Sequence, residues 1–97
     1  MSDLHVVAVL TAKAGSEAVV REALEALVEP TRAEAGNRGY ALYSSAADPT
    51  VFVTIEEWAS QADLDAHLGT PHIATALQAA GDHLAAAPAI HPLIPIS

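Results

Sequence analysis

The sequence predicts an α+β fold of the ferredoxin-like class, with strands and helices in the order β-α-β-β-α-β. Apolar residues change between strand-like and helix-like spacing in that order along the chain. With 97 residues the chain has room for one modest core, so residues 1–97 should form a single domain. In this fold the helices pack on one face of an antiparallel sheet.

The first strand and the first helix follow from residue spacing. Residues 4–12, LHVVAVLTA, are almost all aliphatic or β-branched, which indicates a strand covered on both faces. Ser16 is a candidate N-cap, and apolar residues from Val20 to Thr31 recur at the three- and four-residue spacing of one helical face. Because Pro30 lacks a backbone N–H, the helix should kink or end there.

Two further strands should form a hairpin. Residues 38–46 and 51–58 have the composition of strands, and the polar ADPT segment between them suits a turn. Strand alternation along the second of these segments places four side chains on one face, namely Phe52, Thr54, Glu56 and Trp58.

The second helix should be broken into two pieces. Ser60 with Asp63 resembles a capping box, Gly69 suits a helix end, and Thr70-Pro71 supplies a new N-cap and first helical position. The buried stripe of the second piece should contain Ile73, Ala76, Leu77, Ala80 and Leu84. The final IHPLIPIS segment contains two prolines, which confine it to a sheet edge or an irregular tail.

One face of the predicted sheet has no cover within a single chain. The first and third strands lack the apolar–polar alternation of a solvated face, and the helices occupy the other side. We therefore expect a homodimer in which a second sheet covers this face, forming a dimeric α+β barrel.

Composition excludes several classes of function. Twelve acidic and four basic residues give a formal charge of −8, which disfavours nucleic acid and anionic membrane surfaces as partners. The absence of cysteine excludes disulfides, thiolate metal sites and cysteine nucleophiles. No signal-like start is present, and no apolar stretch approaches the ~18 residues that span a bilayer, so we expect a cytoplasmic location.

Segment 54–73, TIEEWASQADLDAHLGTPHI, concentrates the residues that could form a site. It contains the only tryptophan and two of the five histidines. Trp58 is expected in the core, although its indole N–H could also donate from a pocket wall. His67 lies on the inward stripe of its helix with Leu64 and Leu68, either as a core histidine or as a pocket group.

His72 is the favoured candidate for a general base, with a surface histidine as the alternative. It occupies the first turn of a helix, where the positive end of the dipole favours neutral imidazole. A metal site is not expected, because His67 and His72 are five residues apart across a helix break. Tyr40 and Tyr43 should point to opposite faces of their strand, and one of them could line a pocket.

Three stretches carry a family resemblance over nearly the whole chain: VVAVLTAKAGSE, EPTRAEAGNRGYALY and EEWASQADLDAHLGTPHI. The most telling patterns are E-x-W at Glu56 to Trp58 and AHL-x-x-PH at residues 66–72. In their order and spacing these stretches resemble the antibiotic biosynthesis monooxygenase domain family, especially its bacterial quinol monooxygenase branch.

This resemblance implies a ferredoxin-like dimer with a pocket between each sheet and its own helices. It implies oxygenation of a small quinol-like or phenolic aromatic by dioxygen without flavin, haem, metal or any other cofactor, because a deprotonated substrate can itself give an electron to dioxygen. His72 or His67 would be the catalytic base, and Trp58, Thr54 and Tyr40 would contact the substrate.

Two other functions stay open on the same fold. A non-catalytic small-molecule-binding dimeric module would use the pocket without consuming oxygen, and a cofactor-free isomerase or cyclase would use the base without dioxygen. Polyketide-oxidising relatives are expected to carry Asn at the position of Thr54 and Arg at the position of Leu77. The resemblance therefore does not extend to anthrone oxidation by those residues.

Overall fold

A computed structural model describes residues 3–97, and its elements follow the predicted order. The strands are β1 (Leu4–Thr11), β2 (Asn37–Ser44), β3 (Val51–Trp58) and β4 (Ala89–Pro92). The helices are α1 (Glu17–Arg32), α2 (Gln61–Leu68) and α3 (Pro71–Ala80), and a 3₁₀ turn at Gly81–His83 follows α3. The β-α-β-β-α-β prediction is confirmed, including the break in the second helix.

The four strands form one antiparallel sheet in the order β2-β3-β1-β4. β4 pairs with β1 at the sheet edge, where Pro92 lies opposite Val6 and removes no bond from the centre of the sheet. In the central pair, Ala8 lies opposite Thr54. These side chains are buried beneath the helices, so the β1–β3 pair forms the floor of the core.

Of the two outcomes predicted at Pro30, a kink or a helix end, the end is wrong, because α1 continues to Arg32. Proline removes one helical bond, but the N–H of Ala33 still donates to the carbonyl oxygen of Glu29 at 3.1 Å, so the last turn closes. Burial of Thr31 also holds this turn against the core. Ser16 precedes α1, but its hydroxyl lies 3.0 Å from Nδ1 of His83 and makes no cap bond.

The break between α2 and α3 is fixed by two cap residues. The N–H of Asp63 donates to Oγ of Ser60 at 3.3 Å, and the N–H of Ile73 donates to Oγ1 of Thr70 at 3.4 Å. The predicted stripe is wrong at Leu77, which is 45% exposed, because its side chain borders a partly open cavity.

The sheet face opposite the helices is apolar and uncovered within residues 3–97. It presents Val7, Val9 and Val53 together with Ile55 and Tyr43, and the last two are 51% and 54% exposed. The expected homodimer would cover this face, and it stays a prediction. No helix within the described part of the chain is both long and apolar enough to cross a membrane.

Candidate active site

A cavity of about 90 Å³ lies between the sheet and the three helices. Its walls are mostly aliphatic, with contributions from α1, α2, α3 and the strands. Four side chains with polar atoms interrupt this apolar wall: Tyr40, Thr54, Glu56 and His67. An apolar cavity with a few convergent polar groups is the usual form of a small-molecule site.

A buried carboxylate lies on β3 at one wall of the cavity. Glu56 is only 6% exposed and has no ion-pair partner in the described part of the chain. Instead, Oγ1 of Thr54 donates to one of its oxygens at 2.7 Å, and Nε1 of Trp58 donates to the other at 2.9 Å. The period-two spacing of the strand places all three side chains on the inner face, and these bonds offset part of the cost of burying the carboxylate.

A second carboxylate joins the two histidines that the sequence singled out. Oε2 of Glu34 lies 2.7 Å from Nδ1 of His67 and 2.8 Å from Nε2 of His72. One oxygen thus accepts from both imidazole rings. The side chain of His67 is 3% exposed and that of His72 is 23% exposed, so the cluster extends from the core to the surface.

Tight backbone packing brings Glu34 to these histidines. Glu34 lies in the turn between α1 and β2, where its N–H donates to the carbonyl oxygen of Thr31 and its own carbonyl oxygen accepts from Asn37. A Cβ on Gly36 would overlap the side chain of Asp63, so only glycine allows this turn to approach the start of α2 so closely.

The ring of His67 is fixed between the Glu34 carboxylate and two aromatic side chains. Its centroid lies 4.7 Å from that of Trp58 and 6.0 Å from that of Tyr40. When Nδ1 donates its proton to Glu34, Nε2 of the neutral ring carries a lone pair. No hydrogen bond among residues 3–97 uses Nε2 of His67, which leaves that lone pair available to a ligand.

Tyr40 faces the cavity and Tyr43 faces the opposite side of the sheet, so the sequence correctly predicted that they diverge. Burial raises the pKa of Tyr40 well above its ordinary value, and the charges of Glu56 and Glu34 raise it further. The phenol of Tyr40 therefore stays protonated and can donate a hydrogen bond.

The structure brings three of the five predicted site residues to the cavity wall, namely His67, Thr54 and Tyr40. Trp58 is fully buried behind the ring of His67, and its N–H is occupied by Glu56, so the predicted pocket donor is already paired. His72 does not line this cavity and lies on the far side of Glu34, beside a shallow depression at α1 and α3.

Sequence reasoning did not select Glu34 or Glu56 as site residues. Glu56 had a visible signal, because strand alternation put it on the inner face with Trp58. Glu34 had none, because a turn residue has no periodic pattern that indicates burial. The absence of a metal site was argued from the two histidines alone, yet ligand atoms of Glu34, His67 and His72 all lie within 4.8 Å of one another.

Fold and site together define a ferredoxin-like α+β domain whose largely apolar cavity contains a histidine held by a carboxylate. The family model for antibiotic biosynthesis monooxygenase matches residues 3–79 of the chain. The chain belongs to this family.

Comparison with individual proteins gives the same assignment. The chain is 35% identical over 95 residues to a Mycobacterium tuberculosis protein named "Putative monooxygenase Rv0793", covering 98% of this chain and 93% of that protein. The solved structure of Rv0793 has a TM-score of 0.88 at 33% identity and covers 99% and 97% of the two chains. The structure of PA3566 from Pseudomonas aeruginosa has a TM-score of 0.91 at 31% identity and covers 100% and 97%.

Proposed function

We propose that this protein is a cofactor-independent monooxygenase that oxidises a small quinol-like or phenolic aromatic with dioxygen. The family and the name of the Mycobacterium tuberculosis relative support a monooxygenase-like function. The observation that carries the finer proposal is His67, which is buried, held at Nδ1 by Glu34 and presented to an otherwise apolar cavity. This arrangement suits a general base with an orienting carboxylate.

The reaction begins with proton transfer. Nε2 of His67 takes the proton of a substrate hydroxyl, and Glu34 stabilises the imidazolium that forms. Tyr40 donates a hydrogen bond to the phenolate oxygen. Trp58 supports the His67 ring from behind, and Thr54 holds Glu56 in place.

Oxygen then reacts with the bound phenolate. One electron passes from the phenolate to dioxygen, and the aryloxyl radical and superoxide combine to form a C–O bond at a ring carbon. The proton on His67 completes the hydroperoxide, which loses water together with the ring hydrogen and leaves a quinone. Phenol plus dioxygen thus gives quinone plus water, without an external reductant. The mostly apolar walls of the cavity would protect the radical pair from side reactions with water.

The size of the cavity favours a single aromatic ring. A cavity of about 150 Å³ is known to hold benzene, and this one measures about 90 Å³. Leu68 and Leu77 line the cavity and are 42% and 45% exposed, so they form its solvent-facing rim. Small rotations of these side chains would admit one ring, whereas a fused polycyclic substrate would require movement of α3.

Geometry favours His67 over His72 as the base. The sequence favoured His72 for its position in a first helical turn, but the ring lies outside the cavity lining. His72 instead shares Oε2 of Glu34 with His67, where it fixes the carboxylate. We therefore assign proton abstraction to His67 and a positioning role to Glu34 and His72.

The active form is a homodimer in this proposal. The uncovered sheet face carries contiguous aliphatic side chains, and Ile94 and Ile96 beyond β4 are 86% and 97% exposed. Apolar surface on this scale is usually covered by a partner. Sedimentation should show a dimer at micromolar concentration, and a stable monomer there would contradict the assignment.

The central experiment measures oxygen uptake by metal-free protein on a panel of phenols and hydroquinones. The expected result is uptake that incorporates ¹⁸O from ¹⁸O₂ into the product without release of hydrogen peroxide. His67→Gln should lower turnover by the ~10²–10⁴ typical of general-base loss, and His72→Gln should have a smaller effect. If His72→Gln loses more turnover than His67→Gln, His72 is the base.

Other results would identify the alternative functions. Ligand binding without oxygen uptake across the panel would favour a non-catalytic binding module. Conversion of a substrate without oxygen consumption, dependent on His67, would favour a cofactor-free isomerase or cyclase. Either result would reject the monooxygenase proposal.

A further inference from the structure

We propose that Glu34, His67 and His72 also form a binding site for a divalent transition-metal ion such as Zn²⁺. Their ligand atoms lie within 4.8 Å of one another. Two imidazole nitrogens and one carboxylate oxygen match the donor sets of three-ligand zinc sites, which keep one position open. The same set occurs at other first-row metals that favour nitrogen and oxygen ligands.

The hydrogen bonds of the cluster already converge on one point. Both rings direct a nitrogen at Oε2 of Glu34, at 2.7 Å from His67 and 2.8 Å from His72. Around a tetrahedral zinc ion with bonds of about 2.0–2.1 Å, two ligand atoms lie roughly 3.3 Å apart. Each contact with Glu34 must therefore open by roughly half an ångström, and the two imidazole nitrogens, which lie within 4.8 Å of each other, must close to that spacing. Rotations of the partly exposed Glu34 and His72 side chains can supply both movements.

The three ligands are held on separate elements. His67 lies on α2 against Trp58, His72 lies in the first turn of α3, and Glu34 lies in a turn whose backbone is hydrogen-bonded on both sides. Such positioning lowers the entropic cost of gathering ligands around an ion. No other residue has to be recruited to complete this set of three ligands.

The net charge of the chain and the solvent access of the cluster favour a cation, although the helix dipole of α3 opposes one. The chain has a net charge of −8, and the side chains of Glu34 and His72 are 16% and 23% exposed, which provides an entrance from solvent. The positive end of α3 opposes a cation near His72. As a ligand, the Glu34 carboxylate would carry a full negative charge, which outweighs the partial positive charge at the start of α3.

Metal binding would change what His67 presents to the cavity. A metal on Nδ1 replaces the proton donated to Glu34, so the neutral ring must carry its proton on Nε2. His67 then becomes a hydrogen-bond donor in place of an acceptor, and zinc should inhibit oxygenation. This consequence rests on the proposed function, whereas the binding site itself does not.

The test is a zinc titration of chelator-treated protein in competition with a chromophoric chelator. We expect one ion per chain, and with Co²⁺ the intense visible bands of a four-coordinate site. Loss of a positioning neighbour of a metal ligand costs about 10–100-fold in affinity, so losing a ligand in His72→Gln or Glu34→Gln should cost at least as much. His91→Gln, at an exposed position on β4 outside the cluster, is the matched control and should bind as the wild type does.

Several outcomes would overturn the site. These are a dissociation constant weaker than about 1 mM, equal affinity in wild type and both cluster variants, or loss of binding in His91→Gln. Thermal melts without metal check each fold, and if His72→Gln does not fold, the isosteric Glu34→Gln variant decides. Zinc that binds without reducing oxygen uptake would refute only the inhibitory consequence, and wild-type protein without any uptake would refute only the proposed function.

Discussion

Replacing Glu34 with glutamine tests whether the carboxylate orients the catalytic base. The side chain keeps its shape, but the bonds to Nδ1 of His67 and Nε2 of His72, at 2.7 and 2.8 Å, lose their charge. Hydrogen bonds to a charged group contribute about 1.5–3 kcal/mol and neutral ones about 0.5–1.5. The difference of roughly 1–1.5 kcal/mol predicts a loss of about tenfold in kcat/KM if the amide oxygen faces His67.

A larger loss is expected if the amide nitrogen faces His67. The ring would then hold its proton on Nε2 and could not accept one from the substrate. In a serine protease triad, the corresponding aspartate-to-asparagine change costs ~10⁴, which sets the upper limit here. The expected range for Glu34→Gln is therefore about 10- to 10⁴-fold.

The assay compares kcat/KM from oxygen uptake over hydroquinones of increasing acidity. A more acidic substrate needs less help from a base, so the ratio of wild-type to Glu34→Gln activity should shrink along the series. Glu29→Gln is the matched control, because that side chain is 85% exposed, lies in the last turn of α1 and does not contact the cluster. A ratio that is constant along the series, or a fully active Glu34→Gln, would refute the orienting role.

Three further predictions concern stability and selectivity. Thr31→Val should stabilise the fold by about 1 kcal/mol in urea denaturation, because Oγ1 of Thr31 is buried without a partner in the described residues; destabilisation would contradict this. Because burial and then the Glu56 and Glu34 charges raise the pKa of Tyr40 above 10.0, the folded state holds that proton more tightly, so stability should fall as pH rises above about 10. Tyr40→Phe should lose less stability than the wild type above that pH. An identical dependence of stability on pH in both proteins would contradict the role given to Tyr40. Glu56→Gln should tighten binding of benzoate by up to about 100-fold, the effect of one charge about 6 Å away at an effective dielectric constant of about 20. Tryptophan fluorescence measures this affinity. If Glu56→Gln binds benzoate no more tightly than the wild type does, Glu56 does not act as a negative charge at the cavity.

Local signals were sufficient to predict most of the fold. The hydroxyls of Ser60 and Thr70 cap the two helices that the sequence separated, and β3 has the predicted bounds. The helix end at Pro30 was not predicted correctly, because continuation depends on the N–H of Ala33 and on burial of Thr31. The first is a local helical bond and the second is a tertiary contact, and together they outweigh the preference of one residue.

Residues of the candidate site could be predicted only where helical or strand spacing indicates which side chains are buried. Helical spacing placed His67 inward, and strand alternation placed Thr54 inward, and both line the cavity. Glu34 is separated from His67 by 33 positions, and their contact exists because the turn before β2 packs against α2. No local pattern encodes that contact, so the carboxylate that joins His67 to His72 could not be found from the sequence.

The two carboxylates of the site, Glu34 and Glu56, have different partners and should therefore have different roles in the proposed reaction. Glu34 is hydrogen-bonded to two imidazoles, so when His67 gains a proton the interaction between His67 and the Glu34 carboxylate becomes an ion pair. Glu56 bonds a hydroxyl and an indole N–H on a rigid strand, neither of which exchanges protons with a phenol, so it remains a fixed acceptor. Its negative charge disfavours substrates that arrive ionised and raises the energy of a phenolate formed inside the cavity. A phenolate destabilised in this way is harder to form but gives up an electron to dioxygen more readily, so Glu56 opposes deprotonation by His67 and favours the electron transfer that follows.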